Sequence, residues 1–199
     1  MSGIKSRPVY GTLAANDQAR LNIVFADGEG ALAVVAMAPL APADFWSRTH
    51  IVYVAGGSSP HDHFAKLGAL AAFTCHEAPT IASALPRLKA LLGAARMGTQ
   101  VYLAGTEPLI GEGVRVAGEF GIRHQSIRTE HRGSLARRVQ CVHCKGMTEA
   151  VTTNICTCVH CGLRLLVRDH YSRRLGAFQG LNIDAEVPGQ VPVIEEIFK

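Results

Sequence analysis

Hydrophobic and polar positions are sorted differently along three stretches of the chain. Over the first 50 residues the apolar positions come in short blocks with little period. "ARLNIVFAD" and "GALAVVAM" flank the turn signal "ADGEG" and predict two short strands. "PLAPADFW" predicts the start of a short helix, with Asp44 near its first turn. From residue 50 the pattern becomes regular. "HIVYVAGG" is a continuous apolar run ending in Gly56–Gly57, as a strand buried on both faces would be. "PHDHFAKLGAL" predicts a short helix, "AAFTCHE" a second strand and "TQVYLAG" a third. Ile81, Leu85, Leu88 and Leu92 recur at helical spacing, with Pro86 marking a kink or a start. "PLIGEGVRVAGEFG" reads as a helix with Pro108 in its first turn and Gly121 as its stop. "IRHQSIRTEHR" alternates as an edge strand does.

Strand and helix taking turns in this order imply crossover connections and a parallel sheet. The pattern breaks at residues 136–140, just before a cysteine cluster. The expected architecture is α/β: a parallel sheet with flanking helices over residues 1–138, then a small cysteine module over 139–199.

Composition changes this picture little. Of 199 residues, 48% are hydrophobic and 18% charged, which fits folded protein rather than disorder. No apolar stretch approaches the roughly 20 residues of a membrane span. The N-terminus has no apolar core behind its charges, so a cytoplasmic location is expected, where thiols stay reduced. The net charge of +4 is uneven. Arg115, Arg123, Arg128, Arg132, Arg137, Arg138 and Lys145 crowd one region, as a solvated face or as a surface for an anionic partner.

The cysteines change it more. Cys141/Cys144 and Cys158/Cys161 form C-x2-C-x13-C-x2-C, two knuckles that can deliver four ligands to a tetrahedral ion. Gly146 and Gly162 follow the knuckles, where the backbone must curl to aim its N–H groups at the sulfurs. The symmetrical spacing matches a zinc ribbon, and the C-x4-C-x2-C run of a plant-type iron–sulfur site is absent. Cys156 is expected to be a bystander, and Cys75 a small strand residue rather than a nucleophile. His143 and His160 lie inside the knuckles but are surplus to four thiolates. His61 and His63, two apart in "PHDHF", are expected at the surface. No aromatic residue lies in the ribbon loop, which argues against nucleic acid, and no catalytic residue can be named.

The paired knuckles, together with "VTTN", "LLVRDHYSRRLGAFQG" and "AEVPG", closely resemble the C-terminal part of the DmmA-like subunit of dimethylamine monooxygenase, over roughly residues 140–197. The resemblance implies membership of a haem-dependent oxidative N-demethylase complex. Its haem-containing oxygenase subunit turns a secondary amine into a primary amine and formaldehyde. A reductase subunit with FMN and an iron–sulfur cluster supplies electrons from NADPH, and a folate-binding subunit is a further partner class. Haem, FMN and the cluster are thus expected on partners, with structural zinc on this chain.

The α/β part carries a second resemblance. "VYVAGGSSP" and "VYLAGTEPLIGEGVRVAGEFGI" are similar to the nicotinamide-binding module of ferredoxin reductases, whose first strand ends in a Gly-rich loop and whose later strand runs into a Cys-Gly-Pro-x-Pro turn. That likeness assigns Gly56, Gly57, Ser58, Gly105 and Pro108 to a nucleotide site. Here Ala104 stands in place of the cysteine and Thr106 in place of the first proline, so a scaffold kept without its cofactor is the main reading. A stand-alone NAD(P)-binding oxidoreductase and a zinc-ribbon nucleic-acid or regulatory module are the alternatives.

Overall fold

The structure, a computed structural model, describes residues 6–55, 63–185 and 187–199. They fall into two compact units. One is Tyr10–Gly133, and the other is Ser134–Lys199 together with residues 6–9.

The first unit is built on five parallel strands: β1 Leu21–Asp27, β2 Thr49–Val54, β3 Thr74–Ala78, β4 Thr99–Gly105 and β5 Ile127–His131. Their order across the sheet is β3-β2-β1-β4-β5. The central β1 and β4 are buried almost throughout, as continuous apolar runs in a covered parallel sheet should be. Alternate residues of β1 feed two separate cores. Ile23 and Phe25 pack with Leu88, Leu103 and Leu109, on the face covered by α3 (Ile81–Gly93) and α4 (Glu107–Glu119). Val24 and Ala26 pack with Val34, Phe45, Tyr53 and Tyr102, on the face covered by α1 (Gly30–Met37) and α2 (Phe64–Gly68).

Helix α1 is the segment "GALAVVAM", and the expectation of a strand there is corrected. An eight-residue run without a polar side chain has no period to read, and its three alanines favour helix. Topology then decides it. β1 and β2 lie side by side and parallel, so the chain between them must cross over a face of the sheet. The stretch around "PLAPADFW" forms two separate 3-10 turns, Ala38–Leu40 and Trp46–Arg48, in place of one helix. Pro86 neither starts nor ends α3. The helix begins at Ile81 behind a capping box between Thr80 and Ser83, and Pro86 lies inside it.

The second unit is a five-stranded sheet of β6 (Arg137–Cys141), β7 (Met147–Val151), β8 (Ile155–Thr157), β9 (Arg164–Ser172) and β10 (Ala177–Asn182), in the order β7-β6-β10-β9-β8. β6 and β10 pair in parallel and the other neighbours antiparallel. Val139, Leu165, Phe178 and Phe198 form its core. Among the described residues no helix is long and apolar enough to cross a membrane.

Candidate metal centre and the strand-end cleft

β6 ends in Cys141, and the chain then doubles back. The Lys145 N–H donates to the Cys141 carbonyl at 3.0 Å, and the Cys141 N–H to that of Gly146 at 2.9 Å. The second knuckle repeats the figure: Gly162 N–H donates to Cys158 O at 3.0 Å and Cys158 N–H to Leu163 O at 2.9 Å. Each turn puts the residue after its second cysteine in the left-handed region, Lys145 at φ 64° and Gly162 at φ 72°. The left-handed position in the first knuckle is therefore Lys145, one residue before Gly146. Gly146 meets a different demand, since a Cβ there would overlap the ring of His160.

The two knuckles bring the Sγ atoms of Cys141, Cys144, Cys158 and Cys161 within 4.8 Å of one another. Cys141 and Cys161 are 3.8 Å apart, and Cys144 and Cys158 3.6 Å. Four thiolates around a tetrahedral ion at about 2.3 Å stand about 3.8 Å from each other, so the set fits a metal with little rearrangement. Cys141 and Cys158 are buried, and Cys144 and Cys161 face solvent. The Gly146 N–H donates to Cys144 Sγ at 3.4 Å. Burial works against the Cys158 thiolate, yet N–H groups of Cys161 and His160 and the neighbouring thiols bring it down to about 6. Cys161 goes the other way. The Leu163 N–H favours its thiolate, but partial desolvation within the cluster and the neighbouring thiols override this and push it to about 12, although the residue reaches the surface. Four thiols this close cannot all ionise alone; a cation at their centre resolves the conflict, and the four can hold a metal ion.

The remaining candidates lie outside this cluster. Cys156 sits on β8 against the module core, where burial first, and then Cys158 and Cys141, lift its thiol to about 11. Cys75 is half-buried on β3. His143 is exposed, while His160 Nε2 lies 3.0 Å from the Met147 carbonyl and ties the second knuckle to the first. Of the pair in "PHDHF", His63 is buried at the head of α2, against the expectation of a surface residue, and His61 is outside the described residues. Most of the crowded basic side chains are engaged within their own unit: Arg115 with Glu112 and Glu119, Arg132 with Glu130, Arg137 with Asp169 and Arg138 with Glu149.

Of the nucleotide-site candidates, Gly56, Gly57 and Ser58 lie outside the described residues. The strand before them is β2, the second of the sheet rather than the first, and β1 separates it from β4. Gly105 and Pro108 bracket the turn from β4 into α4. Sequence reasoning passed over the residue facing that turn, Asp27, which ends β1 and is 7% exposed. Its Oδ1 accepts the Thr106 N–H at 2.8 Å and its Oδ2 the Thr106 hydroxyl at 2.6 Å. Burial lifts this carboxyl above its ordinary range, although the Thr106 hydrogen bonds and His131 pull it down. The one available hint was an acidic residue closing an apolar strand just before Gly28.

Comparison with known proteins adds a relation over both units. The family described as dimethylamine monooxygenase subunit DmmA-like matches by its N-terminal domain over residues 2–127 and by its C-terminal domain over 138–181. The Heme-dependent oxidative N-demethylase delta subunit of Ectopseudomonas mendocina (strain ymp) is 34% identical over 112 residues, 56% of this chain. The match spans 64% of that subunit, just under two thirds of its length. A solved ferredoxin reductase in carbazole 1,9a-dioxygenase (FAD apo form) overlaps 56% of this chain and 32% of its own, at 17% identity and a TM-score of 0.39. With matches to both of its domains, the chain belongs to the dimethylamine monooxygenase subunit DmmA-like family.

Proposed function

We propose that this chain is a non-haem accessory subunit of a cytoplasmic, NADPH-dependent monooxygenase that demethylates dimethylamine to methylamine and formaldehyde. In that reaction one methyl group is oxidised to formaldehyde. One oxygen atom of O2 enters product, and the other leaves as water with two electrons from NADPH. The observation that carries the reading is the family match over residues 2–127 and 138–181, joined by the likeness to a subunit of an oxidative N-demethylase. Haem, FMN and an iron–sulfur cluster belong, on this reading, to a haem oxygenase subunit and a reductase subunit, with a folate-binding subunit as a further partner.

Cys141, Cys144, Cys158 and Cys161 would hold zinc, a redox-silent ion that suits four thiolates in a tetrahedron. Bound there, it would neutralise thiolate charge and join the two knuckles directly, beside the contact that His160 makes with the Met147 carbonyl. Its contribution is to folding and shape, and no chemical step passes through it.

Reconstitution tests the function. With the haem and reductase subunits present, adding this chain should restore dimethylamine-dependent NADPH oxidation and release of one formaldehyde per NADPH. Full turnover in its absence refutes an accessory role. Metal analysis of the purified chain should find one zinc, and iron in its place would refute the zinc assignment.

A further inference from the structure

In an open α/β sheet the cleft that takes a ligand lies outside the carboxyl ends of the two strands whose helices leave to opposite faces. Here those strands are β1 and β4. They are adjacent and parallel, with α1 on one face and α4 on the other. A pyrophosphate in such a cleft is held by N–H groups at the start of a helix, reached across glycines that leave it room.

In this chain the room between the two strand ends, and both donors of Thr106, are already taken. The two loops press together at both glycines. A Cβ on Gly30 would overlap the Ala104 carbonyl, and one on Gly105 would overlap Asp27 Oδ1. Gly105 takes φ 132° to permit that approach. Both Thr106 donors, at the head of α4, point to the two oxygens of one buried carboxylate. Pro108, in the first turn of α4, contributes no N–H.

We propose that Asp27 is an internal plug: its carboxylate fills the anion position between the β1 and β4 ends and excludes a dinucleotide pyrophosphate from it. The α/β unit is then a scaffold closed by its own side chain. This goes beyond the accessory-subunit reading and is independent of it, since a plugged sheet serves any partner equally.

The test is calorimetric titration of the full, metal-loaded chain with NADPH and separately with inorganic pyrophosphate, for the wild type and Asp27→Ser. The wild type should show no saturable binding of either below about 1 mM. Asp27→Ser should bind pyrophosphate at least about tenfold tighter than that limit. Saturable NADPH binding by the wild type overturns the proposal, as does a folded Asp27→Ser chain that gains nothing. Should that variant fold poorly, amide exchange in the wild type decides. A slow Thr106 amide, unchanged by NADPH, is expected; exchange at the rate of an open loop overturns the plug.

Discussion

Lys145 and Gly162 occupy the same place in the two knuckles, and both have left-handed backbone, yet only one is glycine. A side chain in that region costs about 1 kcal/mol, because its Cβ crowds the next carbonyl. Lys145→Gly should therefore stabilise the metal-loaded module by about 1 kcal/mol, and Gly162→Ala should destabilise it by a similar amount. Denaturant unfolding read through the β6–β10 sheet would check both. Asp169 offers a second case. Burial alone would raise its carboxyl, but hydrogen bonds from Arg7 and Arg137 hold it below the ordinary range. A depressed acid stabilises the fold fully above the ordinary carboxylate pKa and loses that contribution as pH falls through the folded value. Asp169→Asn should thus cost about 2 kcal/mol at neutral pH, the scale of a hydrogen bond to a charged group. Its deficit against the wild type should shrink below about pH 4 when the two unfolding curves are compared.

At the scale of elements, legibility followed period. β2, β4, α3 and α4 announce themselves because their apolar residues are either continuous or spaced by three and four. α1 does not, since an all-apolar segment looks alike in both conformations and only the crossover geometry settles it. The four cysteines were legible from spacing alone, whereas Asp27 was not, because its partner Thr106 lies 79 residues away. Nor was the fastening of the C-terminal tail. The Asn154 amide donates to the Val193 carbonyl at 2.9 Å, and its side-chain oxygen accepts the Glu195 N–H at 2.8 Å. One residue thus brackets the tail as a paired strand would. Beyond it, Phe198 is buried and covers the Arg137 guanidinium, which has Phe178 on its other face. Asn154→Ala should therefore release residues 193–197 before Phe198. Hydrogen exchange should show faster amides at Glu195 and Ile197, with a loss of about 1 kcal/mol.

For the whole molecule, the two units rest on different sources of stability. Residues 10–133 bury two apolar layers against a sheet, while the cysteine module has one small core and four thiols that favour a cation. Chelation should therefore unfold the β6–β10 sheet and leave β1–β5 protected. Exchange mass spectrometry before and after metal removal would show protection lost in one block and kept in the other. Equal loss in both would mean that the first unit depends on the ion as well.

The parallel pairing of β6 with β10 bears on the order in which the module assembles. The antiparallel neighbours β6–β7 and β9–β10 are joined by short connections and close quickly, but Phe178 meets Val139 only after a loop of about forty residues has been drawn shut. Contacts so distant along the chain slow the search for the native state. Cys141 lies in that late pair, opposite Gly180, so the first knuckle, already closed on itself by local hydrogen bonds, is joined to β10 late. A metal ion shared by both knuckles would shorten that loop before the two strands meet, so zinc present during refolding should speed closure of the sheet.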